Sequence, residues 1–469
     1  MRAKQLLSAL GVVSLTLAAC GDDEPGAGDS VASSADPTSG DTAAEDTEPA
    51  STEPASTEPG STDPASTEPT TAGSEAAPTT GAGELGEVTT GPGVTDSEIR
   101  VAVLNDFSGP IASIGTPAAI GSEIYFEALN AEGGVCGRDV TVVRADTKYD
   151  TQIAIQEYRA IKDDTAFVTQ LLGTATVFAL ANDVSRDGIV TLAGTLSASV
   201  IPLDHMFVFQ TPFPLEAINA MAWVSDEMGG GENVKVGVIY QGDAYGEEGL
   251  AAIEYAAEAL GNIDVVETAT YSPTDEDFTA QVTAMQDAGA EVVWLHDTPR
   301  QTGGILGIAA QQGFDPLFMS NSAGFASALV EPLGPLLENY RVVNSNASWG
   351  EEGEEMDAML AAVEEYSPDQ APDNWLVTGW ISGMVTRAAL ERACEMGDLS
   401  REGITAAMEG LEVDLNGIAP DISFGSTPDE RIPGRAARVN EIDLDSTLPV
   451  PITDYLESEP ALEWALPEG

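Results

Sequence analysis

From Ile99 onward the chain alternates short β-branched runs with segments of helical periodicity, and this alternation restricts the possible folds more than any other feature. Strands that are separated by helical segments of a dozen residues or more form parallel sheets through βαβ units. The segment 245–260 illustrates the helical pattern, because Leu250, Ile253, Ala257 and Leu260 recur at steps of three and four and form one apolar stripe. The alternation therefore predicts an α/β protein.

The order of the elements predicts two lobes. The first set is strand 99–105, helix 116–131, strand 139–145, helix 151–163, strand 166–172, helix 176–187, strand 189–194 and strand 206–210. The second set is helix 215–228, strand 234–240, helix 245–260, strand 263–271, helix 276–288, strand 291–296, helix 301–312, strand 316–320 and strand 340–346. Helices 353–366, 374–396 and 400–410 and a strand-rich piece, 421–444, follow. Two doubly wound units then require the late helices to return to the first lobe.

The charge of the chain excludes several classes of partner. The 469 residues include 78 acidic and 18 basic side chains, and the formal net charge is −60. Nucleic-acid binding needs clustered Lys and Arg, and electrostatic docking on anionic lipid needs the same residues. The sequence therefore predicts no nucleic-acid partner and a repulsive, well-solvated surface.

Residues 1–20 have the organisation of an export signal. Arg2 and Lys4 precede an apolar run that is too short to span a membrane comfortably, and the run ends in Leu17-Ala-Ala-Cys20. This ending resembles a bacterial lipobox, in which the Cys thiol receives a diacylglyceryl group. The prediction is a lipoprotein signal peptide with Cys20 as the lipidation site, located on the extracytoplasmic face of the membrane and attached through the lipid alone. The alternative is an ordinary secretory peptide with an incidental Cys.

Residues 21–96 are predicted to be a disordered tether. The pentapeptide Ala50-Ser-Thr-Glu-Pro54 recurs with small changes through residue 69, and it has no apolar face to bury. A segment with so few large apolar side chains cannot offset the entropy of ordering its backbone. This Ser/Thr/Glu/Pro-rich stretch is then either a tether that holds the folded part away from the membrane, or a disordered segment whose length is not under selection.

The sequence has no recognisable catalytic motif. It lacks a phosphate-binding P-loop, a G-x-S-x-G nucleophile elbow and an H-E-x-x-H zinc motif. His205 and His296 are far apart and have no Cys at ligand spacing, so no metal site is expected. His205 is expected in a loop before a strand, and His296 at the end of one. We predict that the protein is not an enzyme and uses no cofactor.

Five motifs in order resemble one family. They are Ile99–Pro110 (IRVAVLNDFSGP), Ala128–Arg138 (ALNAEGGVCGR), Gly173–Thr176 (GTAT), Asp243–Glu247 (DAYGE) and Asp277–Thr279 (DFT). Together they resemble type I extracytoplasmic solute-binding proteins of the leucine/isoleucine/valine-binding group. The resemblance implies the type I periplasmic-binding-protein fold, with two doubly wound parallel-sheet lobes joined by a three-strand hinge. It implies lobe 1 in 97–212 plus 347–428, lobe 2 in 213–346 plus 429–446, and a C-terminal tail in 447–469.

The same resemblance implies a set of ligand-binding residues between the lobes. Gly173 and Thr174 lie between a strand and a helix, where a helix N-terminus favours a carboxylate. The other implied contacts are Ser108, Thr195, Ser197, Tyr245, Asp297, Thr298 and Trp375. For Trp380, a position near the cleft and a position in the core are equally favoured. For Ser108, the alternative to ligand binding is that the residue only shapes a turn.

One position departs from the family. Amino-acid binders of this group place a Glu in lobe 2 to pair with the α-ammonium, and Ser322 stands at that position here. A neutral Ser cannot offset the desolvation of a buried ammonium. Asp106 or Asp297 then supplies the charge, or the solute is an amide, a carboxylate or an aromatic acid.

Two cysteines remain beside Cys20. In an oxidising compartment, Cys136 and Cys394 predict one disulfide, because the helix that carries Cys394 is expected to return to the first lobe. The alternative is two separately buried thiols.

The resulting prediction is a monomeric receptor for a small solute, which serves an ABC permease and its ATPase subunits. The solute is a branched-chain amino acid or a related amide or carboxylate, captured by closure of the lobes. The rival predictions are a sensor of the same fold, an enzyme, and a structural envelope protein with an unused cleft.

Overall fold

The computed structural model describes residues 88–230 and 233–466. The signal peptide, Cys20 and nearly all of the predicted tether lie outside the described residues. None of the helices within these ranges is long and apolar enough to cross a lipid bilayer.

Sixteen strands run through the described residues. In chain order they are β1 (Thr89–Thr90), β2 (Glu98–Asn105), β3 (Asp139–Asp146), β4 (Phe167–Leu172), β5 (Thr191–Gly194), β6 (Met206–Phe207), β7 (Val234–Gln241), β8 (Ile263–Tyr271), β9 (Val292–His296), β10 (Leu317–Ser320), β11 (Tyr340–Asn344), β12 (Asp398–Leu399), β13 (Leu411–Val413), β14 (Ile422–Phe424), β15 (Arg438–Asp443) and β16 (Leu448–Pro451).

Twelve α-helices alternate with these strands. They are α1 (Ala112–Ala131), α2 (Thr151–Ile161), α3 (Thr174–Asp187), α4 (Phe213–Met228), α5 (Ala244–Leu260), α6 (Thr279–Ala288), α7 (Pro299–Gln312), α8 (Val330–Leu333), α9 (Glu354–Tyr366), α10 (Asn374–Glu395), α11 (Arg401–Met408) and α12 (Glu459–Glu463). Several of these helices begin at a residue whose side chain caps the first turn. For example, the Asp243 carboxylate accepts N–H groups of the first turn of α5, and Gly261 ends that helix with a φ of 71°.

Two parallel sheets form the centres of two lobes, as the alternation predicts. Lobe 1 contains a five-stranded parallel sheet in the order β3-β2-β4-β5-β6. Lobe 2 contains a seven-stranded sheet in the order β16-β15-β11-β10-β9-β7-β8, in which only β15 runs opposite to the other strands. All six residues of β4 and all five of β9 are buried, which is typical of parallel strands that helices cover on both faces.

The chain crosses between the lobes three times, at residues 208–212, 345–348 and 433–437. Thr211 connects all three crossings, because its N–H donates to the Ser345 hydroxyl at 3.3 Å and its hydroxyl donates to the Ala436 carbonyl at 2.6 Å. The strands expected at 206–210 and 340–346 end earlier, at Phe207 and Asn344. Both end there because the chain leaves its sheet to enter a crossing.

The late helices return to lobe 1. Helix α10 lies against α1, and the two backbones approach closely at Gly121 and Gly379. A Cβ atom at Gly379 would lie 1.9 Å from the Ala118 carbonyl oxygen, and one at Gly121 would lie 2.1 Å from the Leu376 carbonyl oxygen. Only glycine permits this approach.

The disulfide predicted between Cys136 and Cys394 is present and joins the loop that follows α1 to the last turn of α10, with the Cα atoms 6.4 Å apart.

The segment that follows residue 446 belongs to the second sheet and its helices. Strand β16 pairs with β15, helix α12 packs on α4, and the Arg435 guanidinium donates to the carbonyls of Ala461 and Trp464. Residues 448–463 therefore extend lobe 2 instead of leaving it as a separate tail. Apolar periodicity did not predict β16 and α12, because each element is five residues long or shorter.

Candidate functional site

A cavity of about 720 Å³, counting its mouth, lies between the lobes at the carboxyl ends of the parallel strands. In doubly wound sheets this edge is where ligands bind. The lining consists of Asn105, Ile111, Ile114, Ala118, Tyr149, Gln170, Leu172, Gly173, Thr174, Gly194, Thr195, Leu196, Phe209, Gln210, Phe213, Tyr245, Thr298, Ala323, Trp375 and Thr378. No side chain in this lining carries a charge, and most of the wall is aliphatic or aromatic. We refer to it as the cleft cavity.

One wall of the cleft cavity presents a helix N-terminus. Helix α3 begins at Thr174, directly after Gly173, whose φ of 96° is accessible mainly to glycine. No side chain caps this helix, although its first N–H groups have no partner inside the helix. The Thr174 and Thr195 hydroxyls bond to each other at 2.7 Å beside it. Together with the dipole of α3, this arrangement suits an anionic oxygen.

A network of amides orients a second polar group of the lining. The Asn105 Nδ2 group donates to Gln170 Oε1 at 2.6 Å and to the Gly115 carbonyl at 3.1 Å. The Gln170 Nε2 group donates to the Ala118 carbonyl and to the Ser382 hydroxyl. This leaves Asn105 Oδ1 as a buried acceptor without a hydrogen-bond partner among the described residues. The lobe 1 wall therefore offers one fixed acceptor beside its donors.

Tyr245 forms the opposite wall and is held by three contacts. Its hydroxyl donates to the Asp297 carbonyl at 2.8 Å and accepts from Asn321 Nδ2 at 2.9 Å. Its ring lies 4.3 Å from the His296 ring, between centroids. Burial lowers the pKa of His296 to about 3, so the imidazole is neutral, and burial raises the pKa of Tyr245 well above its usual value. The aromatic wall is therefore rigid and uncharged.

A second cavity of about 430 Å³ adjoins the first on the hinge side. The two share Leu196, Gln210, Trp375 and Thr378 in their linings. Most residues around this hinge-side cavity are polar, and they include Glu216 and Ser322 from lobe 2 and Asp373 and Asn374 from lobe 1. Burial raises the pKa of Glu216 to about 8 and that of Asp373 to about 6.

The lobes also contact each other directly at the rim. The Trp375 indole N–H donates to the Phe325 carbonyl at 2.9 Å. The Glu248 carboxyl, on α5 of lobe 2, accepts from the Ala198 N–H at 2.6 Å and from the Ser197 hydroxyl. Burial raises the pKa of Glu248 to about 7. These bonds show the lobes in a closed arrangement.

Six of the predicted binding residues line the cleft cavity: Gly173, Thr174, Thr195, Tyr245, Thr298 and Trp375. Ser322 lines the hinge-side cavity. Trp380 packs edge-on against Tyr125 in the core of lobe 1, and its indole N–H donates to Glu355.

Ser108, Ser197 and Asp297 do not line either cavity. The Ser108 hydroxyl donates to Asp146 at 2.6 Å, and the Ser197 hydroxyl is occupied by Glu248. The Asp297 carboxyl is buried behind the wall, where it accepts from Thr302 at 2.9 Å.

The two acids suggested as replacements for the missing Glu are also placed away from the lining. Asp106 is fully buried and accepts N–H groups of Ser108, Gly109 and Ile111, so it holds the loop that precedes α1. Asp297 lies outside both linings. The structure instead brings Glu216 to Ser322, whose N–H and hydroxyl donate to Glu216 Oε2 at 3.0 and 3.1 Å.

Glu216 is the residue that the sequence reasoning missed. One signal was available, since Glu216 is the only charged side chain between Asp204 and Asp226, on a helix whose first turns are apolar. An isolated charged residue in an otherwise apolar helix indicates a buried side chain with a specific role beyond packing. The wall residues Tyr149, Phe209 and Phe213 had no comparable signal, because aromatic residues in such segments usually belong to the core.

The fold and the site define a class of protein. Two doubly wound lobes, three crossings and a cavity with an uncharged wall between the closed lobes are the features of a receptor that encloses a small solute.

The family follows from comparison with known proteins. Residues 98–446 match the family described as "Periplasmic binding protein", and the chain belongs to it. Members of this family bind small solutes and work with the permeases of ABC transporters. The predicted family, its type I fold and its solute-binding rather than enzymatic character are thereby confirmed.

Three relatives illustrate the similarity. The Leu/Ile/Val-binding protein homolog 3 of Brucella melitensis is 26% identical over 306 residues, which are 63% of this chain and 80% of that protein. The fatty acid ABC transporter substrate-binding protein from Thermomonospora curvata has a TM-score of 0.76 and 26% identity, over 81% of this chain and 97% of that one. A branched-chain amino acid ABC transporter protein from Thermus thermophilus, solved with bound valine, has a TM-score of 0.67 and 17% identity, over 78% of this chain and 97% of that one.

Proposed function

We propose that this protein is the lipid-anchored substrate-binding component of an ABC importer, and that its solute is an apolar carboxylate. The carboxylate would sit at the N-terminus of α3, against Thr174 and Thr195, with the apolar body between Ile114, Leu172 and Phe213. Contacts on both lobes would favour the closed state over the open one. The closed protein would then deliver the solute to a membrane permease that is driven by its ATPase subunits.

The observation that carries this proposal is the uncharged lining of the cleft cavity beside an uncapped helix N-terminus. An apolar acid needs donors for its carboxylate and apolar wall for the rest, and the cleft cavity supplies both. An α-amino acid also needs an acid for its ammonium, because a buried unpaired charge is costly. The similarity to the fatty acid-binding protein of Thermomonospora curvata supports the same class of solute.

A second candidate solute is a branched-chain amino acid. Glu216 favours it, because this buried acid lies beside Ser322 in the adjoining cavity and could ionise against an ammonium. The similarity to the Brucella Leu/Ile/Val-binding protein homolog supports it as well.

A thermal-melt and calorimetry series separates the two solutes. We expect octanoate at 100 times its Kd to raise the free energy of unfolding by about 2.7 kcal/mol, and leucine to leave it unchanged. Thr174→Val should weaken octanoate binding by roughly tenfold, because one hydroxyl donor is lost. Thr268→Val, at an exposed position of β8, is the matched control and should bind as the wild type does. Stabilisation by leucine without octanoate binding would refute the apolar-acid proposal and favour the second candidate.

Anchoring through Cys20 is tested by cell fractionation. We expect the wild-type chain in the membrane fraction and Cys20→Ser in the soluble extracytoplasmic or secreted fraction, because the lipid supplies the only predicted attachment. Membrane retention of Cys20→Ser would contradict the lipid anchor. Size-exclusion chromatography of the soluble variant then tests the expected monomer.

A further inference from the structure

Three residues that line the hinge-side cavity each have a buried polar atom with no hydrogen-bond partner among the described residues. These atoms are Glu216 Oε1 and Ser327 Oγ, both from lobe 2, and Asn374 Nδ2, from α10 of lobe 1. A buried polar atom left without a partner costs free energy, so native structures rarely retain one without a reason. Three such atoms around one cavity, contributed by both lobes, indicate a group that would bind between the lobes.

The chemistry of the Glu216 and Asn374 atoms follows from their fixed neighbours. Glu216 is 0% exposed, and its Oε2 atom is held by the N–H and hydroxyl groups of Ser322. This leaves Oε1 as the free oxygen of the carboxyl group. The Oδ1 atom of Asn374 accepts the Trp349 N–H at 3.0 Å, so the Nδ2 group is a donor. The cavity therefore presents a carboxyl oxygen and an amide donor.

We propose that the hinge-side cavity is a subsite for a second, uncharged polar group of the solute, either a hydroxyl or a carboxamide. Such a group accepts a hydrogen bond from Asn374 and forms another with Glu216. This inference rests on the proposed function, in which the apolar body of the solute occupies the cleft cavity. The shared wall of Leu196, Gln210, Trp375 and Thr378 makes the two cavities neighbours along one solute.

The subsite would also couple binding to closure. Glu216 and Asn374 belong to different lobes, so one solute group binds to both residues only when the lobes are closed. The titratable group facing the cavity besides Glu216 is Asp373, which caps α10 through the Trp375 N–H. Burial keeps Glu216 largely neutral at pH 7, which matches an uncharged solute group.

The test compares octanoate with 8-hydroxyoctanoate by calorimetry on the mature chain at pH 7. We expect the hydroxy acid to bind the wild type at least tenfold more tightly. Glu216→Leu should reduce this preference to within about twofold, and circular dichroism with a cooperative melting curve shows that the variant folds. Glu216→Gln, which keeps hydrogen-bonding capacity, should retain the preference.

Each alternative result has a distinct meaning. Equal affinities of the wild type for both acids would overturn the subsite and leave the apolar-acid function intact. Binding of leucine but of neither acid, lost in Glu216→Gln, would overturn both and identify Glu216 as an ammonium partner. Absence of binding by all three compounds would also overturn both.

Discussion

Replacing both Cys136 and Cys394 with serine is expected to lower the free energy of unfolding by about 5 kcal/mol. The disulfide closes a loop of 258 residues, and a loop of that length restricts the unfolded chain far more than the folded one. In the folded protein it also ties α1 to α10, the helix that returns to lobe 1. For about 380 ordered residues the change corresponds to a fall in Tm of roughly 6 °C.

Calorimetry of the oxidised wild type and the double variant measures this effect. The control is wild-type protein melted in the presence of a strong thiol reductant, and we expect its Tm to equal that of the double variant. Superimposable melting curves for the oxidised wild type and the variant would show that the cross-link adds nothing to stability.

Replacing Glu216 with Gln is expected to stabilise the protein at pH 8 and to leave its stability unchanged at pH 4. Burial raises the pKa of Glu216 from 4.5 to about 8, so folding takes up a proton between these values. The wild type therefore loses stability as the pH rises from about 4.5 to about 8. At 1.36 kcal/mol per pKa unit, the loss is of the order of 4 kcal/mol. Gln mimics the protonated carboxyl and does not titrate.

The measurement is the difference in unfolding free energy between the wild type and Glu216→Gln across pH 4 to 9. Asp373 is present in both proteins, so its titration cancels and the difference isolates Glu216. Glu247→Gln, at an exposed position one residue before Glu248 on α5, is the matched control and should show no such pH-dependent gain. If the difference in unfolding free energy between the wild type and Glu216→Gln does not change with pH, Glu216 is ionised in the folded protein.

Much of the fold follows from local pattern. Strand β8 occupies the predicted residues 263–271, and α10 ends one residue before its predicted limit at 396. The predicted helix α3 begins two residues early, at Thr174, and this places its N-terminus at the cleft. Such elements are predictable because apolar periodicity and caps act within a few residues of the chain.

Part of the site was also predictable, since strand ends in parallel sheets converge at one edge. Gly173, Thr174 and Thr195 follow neighbouring strands of lobe 1, and the structure brings them together. Ser197 has the same position in the pattern, but its hydroxyl is bonded to Glu248, on a helix of the other lobe. Position along a strand therefore predicts the edge on which a residue lies and does not predict the partner of its side chain.

The sequence alone thus determined the α/β alternation, the two lobes, the family and the strand ends that carry the cleft. The tertiary structure decided which polar groups face the cavities. Glu216 lies 106 residues from Ser322 and meets it only when α4 packs beside the end of β10. Asn374 reaches the same cavity because α10 returns to lobe 1. Contacts between residues so distant along the chain depend on how the helices and lobes pack, and short-range apolar periodicity does not encode that packing.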